Sequence, residues 1–250
     1  MTDQQELWDE ETAQRYDTPG EGMFSPAVLG PTVQFLSELA GGGAAVEFAI
    51  GTGRVAVPLS EAGVAVSGIE LSHAMIRRLR TKVDPQTIPV VQGDMAEARI
   101  PGEFTLAYLV FNTIANLLTQ EEQVLCFQNA ARHLAPGGCF VIELWVPQLR
   151  SLPQGHKATV EVSKPGYLLV DTYDVLRQHV VSHHIQFEED LSSRVARIGR
   201  TPHRYIWPSE LDLMARLAGF HLEARWADWD RSEFTAESRS HVSVYRLNDR

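Results

Sequence analysis

The sequence predicts an α/β fold, a doubly wound parallel sheet covered by helices on both faces and interrupted by a small antiparallel sheet. Three observations predict it. Between residues 45 and 144, apolar runs suited to buried strands alternate with amphipathic helical segments. A glycine-rich turn, Gly51-Thr52-Gly53, joins the first of those strands to a helix. Near Pro147 the pattern changes to consecutive β-prone runs separated by turn residues.

The elements follow in order. Residues 10–15 are good helix formers, with Leu7, Trp8 and Tyr16 offering an apolar side, and Pro19-Gly20 stops the pattern. Pro26 and Pro31 read as loop, after which Val33, Leu36 and Leu39 recur at helical spacing until Gly41 to Gly43 end the helix. Strands are then expected over 45–50, 64–70, 88–93, 104–111 and 139–144, and helices over 55–62, 74–83 and 121–134. β-prone runs cover 159–162, 167–176, 179–187 and 194–198, with turns at Pro165-Gly166 and around 190–193. A helix over 208–218, with Ser209 as its N-cap and Gly219 as its stop, precedes closing strands over 221–229 and 241–247. The expected division is a helical cap over 1–40, a core over 41–148 and 208–250, and an inserted β element over 149–207.

Composition narrows the function. Of 250 residues, 44% are hydrophobic and 22% charged, which suits a packed chain and not a disordered one. Asp and Glu number 32 against 22 Lys and Arg, a net charge of -10 with no basic run, so nucleic acid is not an expected partner. Cys126 and Cys139 can supply neither a disulfide framework nor a four-ligand zinc site; a reduced, cytoplasmic, metal-free protein is expected. Residues 1–11 lack the basic start and apolar stretch of a secretory signal. The uncharged run 104–120 is broken by Asn112, Thr113 and Asn116, so no membrane span is expected.

Chemistry concentrates at strand ends. Gly51 and Gly53 let the backbone come close to a ligand whose polar end meets free N–H groups of the following helix, although such turns also serve simple chain reversal. Glu70 ends the second strand seventeen residues beyond Gly53, where a carboxylate can accept both hydroxyls of a ribose or, alternatively, cap the helix that begins near Ser72. Glycine turn and acid together indicate a nucleoside. Gly51-Thr52-Gly53-Arg54-Val55-Ala56 also fits a loose dinucleotide pattern, which keeps an NAD-linked oxidoreductase open.

Further segments separate the two. Glu47-Phe48-Ala49-Ile50-Gly51-Thr52-Gly53, Gly68-Ile69-Glu70-Leu71-Ser72, Gln92-Gly93-Asp94-Met95, Leu134-Ala135-Pro136-Gly137-Gly138 and the closing strands resemble, in order, the motifs of class I S-adenosylmethionine-dependent methyltransferases. That resemblance implies a seven-stranded Rossmann-like methyltransferase sheet with S-adenosyl-L-methionine as cofactor. It implies that Asp94 accepts from the adenine amino group between Met95 and Leu71, and that Glu47 (indirectly), Ala49, Gly51 and Gly53 surround the methionine portion. Arg54 would lie near its carboxylate, Phe111 beside the cofactor, and Tyr16 over it from a leading helix. Ala49 stands where many members have a glycine, and is small enough to keep the turn.

The acceptor belongs beyond the strand ends. Asn112 and Asn116, after the fourth strand, could hold an amine or hydroxyl, and Trp145 follows the fifth. The insert contributes His179, His183, His184 and His203, with Tyr205 expected in the pocket and His183 as a candidate base; adjacent His183 and His184 point to opposite faces. The resemblance extends loosely to actinobacterial natural-product enzymes, including sugar-amine N-methyltransferases. It implies methyl transfer to nitrogen or oxygen of a small molecule, and a homodimer paired through the inserted sheet. A methyltransferase-fold protein that binds the cofactor without transferring methyl, as a cyclase or auxiliary subunit, is the remaining alternative.

Overall fold

A computed structural model describes residues 7–187 and 195–248. Helix α1 (Glu10–Tyr16) is capped by Asp9, whose side chain accepts the Thr12 N–H at 2.8 Å. Helix α2 (Pro26–Ala40) begins earlier than expected. Pro26 sits in its first turn, where no N–H partner is missed, and Pro31 costs one ladder bond, so the two prolines do not exclude helix.

The core then alternates as β1 (Ala45–Phe48), α3 (Ala56–Glu61), β2 (Val66–Glu70), α4 (His73–Arg80), β3 (Val90–Gln92), β4 (Phe104–Leu109), α5 (Gln120–His133) and β5 (Leu134–Trp145). Thr119 and Glu122 form a reciprocal capping box at the start of α5. Two strands end before their apolar runs do, because Ala49 and Phe111 take φ of 52° and 55° and leave the extended conformation.

An antiparallel meander follows: β6 (Ala158–Lys164), β7 (Tyr167–Asp174), β8 (His179–Phe187) and β9 (Ala196–Arg204), paired in that order. β9 runs past Pro202, which an edge strand tolerates. The turn expected around 190–193 lies outside the described residues. Helix α6 (Pro208–Leu217) has Trp207, not Ser209, at its N-cap; Pro208 occupies the first helical position, and Ser209 falls inside the helix. β10 (Phe220–Trp226) and β11 (Ser240–Leu247) finish the chain.

The seven core strands form one sheet in the order β10-β11-β5-β4-β1-β2-β3, parallel from β5 to β3, with β11 antiparallel to both neighbours. On one face Phe127, Leu211 and Met214 from α5 and α6 pack on Phe48, Phe140 and Ile142. On the other, Phe35, Leu36, Leu59 and Leu79 from α2, α3 and α4 pack on Leu106, Val141 and Val244. Helices on both faces explain why β1 and β4 are apolar almost throughout.

Candidate active site

Strand order reverses between β1 and β4, where an open α/β sheet leaves a crevice beyond its strand ends. A cavity of about 540 Å³ lies there, of the size that takes a small ligand. Its floor is the carboxyl edge of the core, and its roof is one face of the inserted sheet.

The glycine turn forms one wall. Gly51 takes φ of 58°, and a Cβ placed there would meet no protein atom closer than 4.0 Å, so the space over it is open to the cavity. A Cβ on Gly53 would fall 2.3 Å from Leu79 Cδ1; this glycine allows α4 to pack on the turn and does not line the cavity. Glu70 faces the cavity and is 5% exposed. Its Oε2 accepts the Gly51 N–H and its Oε1 the Ser72 N–H, each at 2.7 Å. Burial pushes the Glu70 carboxyl up, and these backbone bonds pull it back. Each oxygen keeps a further lone pair.

Beneath the turn, Glu47 is buried and its Oε2 accepts the Tyr108 hydroxyl at 3.0 Å. Burial pushes its carboxyl up to about 8, against the opposing hydrogen bond. Arg54 donates to the Met23 carbonyl at 3.1 Å and lies 5.4 Å from the centre of the Phe111 ring. Like Glu47, it supports the cavity wall from behind.

The adjacent wall rests on strained backbone. Phe111 and Asn112 both have positive φ, 55° and 64°, a conformation that costs about 1 to 3 kcal/mol each and needs support. Glu143 supplies it: Oε2 accepts the Phe111 N–H at 2.6 Å, and Oε1 the Trp229 indole N–H at 3.1 Å. Asn112 Oδ1 accepts the Trp145 N–H at 2.7 Å, so this amide ties the end of β4 to the end of β5. Phe111, Asn112, Asn116 and Trp145 all line the cavity.

Helix α1 closes the opposite side, where Trp8 and Tyr16 line the cavity with edge-on rings 5.9 Å apart. Asp17 fastens it, accepting from Thr52 Oγ1 at 2.6 Å and pairing with Lys82 at 2.8 Å and Arg78 at 3.1 Å. Burial opposes the charged form of Asp17, but those partners outweigh it and hold its carboxyl below the usual range. Of the residues expected near adenine, none lines this cavity. Met95 is 7% exposed within the core, Leu71 is half-buried, and Asp94 is exposed, with Oδ1 accepting the Ala96 N–H at 2.8 Å. Met75 lines the cavity nearby.

The roof follows strand alternation. Asp171 on β7, Ser182 on β8 and Thr201 on β9 stand in one cross-strand row, and Tyr173, Val180 and His203 in the next. His184 faces the cavity, with Nδ1 2.7 Å from the Tyr167 hydroxyl. His183 points to the opposite face and meets Thr172 Oγ1 at 3.0 Å, which takes it out of reach as a base in this pocket. Tyr205, expected in the pocket, is 2% exposed and packs between Tyr173 and Trp207, because the chain turns inward toward α6 at that point. The insert is held to the core by buried Arg204, bonded to Gln123 at 2.6 Å, Gln178 at 3.2 Å and Glu210 at 2.7 Å.

A methyltransferase domain model matches residues 45–138. The solved CcbJ methyltransferase of Streptomyces caelestis is 33% identical, superposes with a TM-score of 0.84, and the match covers 97% of this chain and 98% of that one. This chain is a class I S-adenosylmethionine-dependent methyltransferase. The methyltransferase is also 24% identical over 243 residues to a cypemycin N-terminal methyltransferase from a Streptomyces species, covering 95% of this chain and 96% of that one. Over 100 residues, 40% of this chain and 41% of the relative, it is 31% identical to a dTDP-3-amino-3,4,6-trideoxy-alpha-D-glucopyranose N,N-dimethyltransferase of Streptomyces venezuelae. Neither an NAD-linked oxidoreductase nor a cofactor-binding protein without methyl transfer is favoured by these matches.

The open space over Gly51 and the spare lone pairs of Glu70 fit S-adenosylmethionine, the cofactor of this family. Trp8 enters the sequence reading only as part of an apolar helix side, and neither Met75 nor Glu143 was singled out by the sequence. A buried acid in a strand leaves little pattern; Asp171, the one acid inside the run 167–173, is the case where a signal existed.

Proposed function

We propose that this methyltransferase methylates an amine nitrogen of a small natural product, with the inserted element over 149–207 as the lid of its acceptor site. The observation that carries it is the roof. It presents Glu161 and Asp171, with His184 and His203, against one cation, Arg239, and most of these groups accept the N–H of an amine. Two relatives, one spanning most of the chain and one its cofactor half, are named for N-terminal and amino-sugar methylation, in the same sense.

When bound, S-adenosylmethionine supplies an electrophilic methyl group on a sulfonium. Glu70 is proposed to hold its ribose and Asp94, Leu71 and Met95 its adenine, while Ala49 and Gly51 bound the methionine portion over Glu47 and Gly53 lets α4 pack behind the turn. Arg54 steadies Phe111, and Tyr16 covers the site with an aromatic face suited to a cation. Little motif is needed beyond this, because alignment and exclusion of water can supply on the order of 7 to 11 kcal/mol.

Two further readings belong here. The outer face of the insert carries Val160, Phe187 and Ile198, 63%, 47% and 54% exposed, which supports a homodimer through that face. The free, buried Cys126 and Cys139 suit a reducing cytoplasm. The decisive experiment is mass spectrometry of products from amino sugars and peptides with a free N-terminus. Methylation at nitrogen supports the reading, and methylation confined to oxygen or carbon overturns it.

A further inference from the structure

Four histidines sit on the last two strands of the insert, and their contacts separate them. His179 Nε2 is 2.9 Å from the Leu118 carbonyl, His183 Nε2 meets Thr172, and His184 Nδ1 meets Tyr167. His203 Nδ1, by contrast, is buried and has no hydrogen-bond partner among the described residues, and the same holds for Asp171 Oδ1. Both residues line the cavity. Buried polar atoms without partners are rare in folded proteins, and two on one cavity wall mark where a ligand's polar groups belong.

Their placement gives each a different task. The His203 ring meets Trp145 edge-on, with centroids 5.6 Å apart, and Trp145 ends β5 beside Asn112; His203 therefore stands against the carboxyl edge of the core. Asp171 lies across β8 from it and one cross-strand row further along the roof. Burial pushes His203 down to about 4, so the ring is neutral and one nitrogen carries a lone pair.

We propose that His203 Nδ1 accepts an N–H of the acceptor's nucleophilic amine while Asp171 Oδ1 accepts a hydrogen from a second polar group of the same molecule. The acceptor is then an amine with a further hydroxyl or N–H on a different atom, as in an amino sugar or amino alcohol. This rests on nitrogen being the site of methylation. As the nitrogen lone pair forms the new N–C bond, the methyl carbon's bond to sulfur breaks with its electron pair left on sulfur. Positive charge moves to nitrogen, and the N–H···Nδ1 bond strengthens as it does so. The product leaves as an ammonium ion, so no proton has to pass to His203.

The test uses the full chain with His203→Phe and Asp171→Leu, which remove the polar atoms and keep volume. In the free protein His203→Phe is expected to raise Tm by about 2 to 4 °C, since an unpaired buried nitrogen is removed, whereas Asp171→Leu also gives up the bond between its carboxylate and Ser182 and is read from the substrate series. S-Adenosylhomocysteine, titrated calorimetrically, should bind both variants within about twofold of the parent. A fall in Tm for His203→Phe shows that the ring is paired within the fold, and overturns its assignment whatever the acceptor proves to be. With an amino sugar that the parent methylates, deleting one hydroxyl should raise KM at least tenfold in the parent and leave Asp171→Leu unaffected. Equal sensitivity of both to every deoxy analogue overturns the second contact. Methylation at oxygen, with the Tm results as expected, would refute the nitrogen reading alone.

Discussion

Glu70 Oε2 accepts the N–H of Gly51 at 2.7 Å, so the acid at the end of one strand holds the glycine turn at the end of its neighbour. The same carboxylate holds the start of α4 through Ser72 and faces the cavity. Ribose binding and helix-end support are therefore compatible roles for a single side chain. Glu70→Ala is expected to weaken S-adenosylhomocysteine at least about tenfold, roughly 1.4 kcal/mol, and to lower Tm because two backbone amides lose their acceptor. Calorimetry checks the first and differential scanning the second. A lower Tm with unchanged affinity would confine Glu70 to the turn.

Asp17 fastens α1 over the site through Thr52, Lys82 and Arg78. Its side chain is 5% exposed, so its bonds are shielded far more than a surface pair would be. Asp17→Asn should cost on the order of 1 to 3 kcal/mol of local stability and loosen the lead-in segment while the sheet stays intact. Hydrogen exchange gives the readout: faster exchange in residues 10–16, with no change in β1, β4 and β5, is the expected result.

The fold was legible because a doubly covered sheet imposes its pattern on the chain. Val46, Phe48 and Leu109 face one layer of helices and Ala45 and Leu106 the other, so β1 and β4 are apolar on both sides, and the glycines mark where the backbone turns. Helix limits were less so: Pro31 reads locally as a breaker, yet α2 absorbs it through packing of Phe35 and Leu36. The site divided in the same way. Gly51 and Glu70 advertise themselves by type and spacing, whereas Glu143 acts through the backbone of Phe111, thirty-two residues away, and no local pattern marks such a contact. His183 and His184 show the remaining gap. Alternation says that only one of them faces the pocket, but the packing of the insert decides which.

Arg204 is the anchor of the insert, with 7% of its side chain exposed and its partners Gln123, Gln178 and Glu210 drawn from α5, the turn before β8 and α6. Removing one side of such a pair strands the other, at a cost of about 3 to 5 kcal/mol. Arg204→Ala should lower Tm by about 2 to 4 °C per kcal/mol lost. None of these residues lines the cofactor side of the cavity, so S-adenosylhomocysteine affinity should stay within about twofold. A large loss of affinity would mean that the lid and the cofactor wall fold as one unit.

Two buried groups oppose each other across the pH scale. Glu47 has its carboxyl raised by burial from 4.5 to about 8, so the folded protein keeps a proton that the unfolded chain has lost. Its contribution is complete below pH 4.5 and is lost as pH rises toward 8, by up to about 1.4 kcal/mol per pH unit. His241 is lowered by burial from 6.5 to about 3, so the unfolded chain takes up a proton that the folded one refuses, and stability falls as pH drops from 6.5. Glu47→Gln should flatten the loss of stability between pH 5 and 8 while leaving the acid limb. His241→Phe should make the acid limb shallower and leave the alkaline one, because its ring already lies against Phe234 in an apolar setting, while His203, also lowered by burial, keeps part of the acid loss. Urea denaturation of the three proteins across that range supplies the curves, and an alkaline decline in Glu47→Gln as steep as the parent's would show that Glu47 ionises freely in the fold.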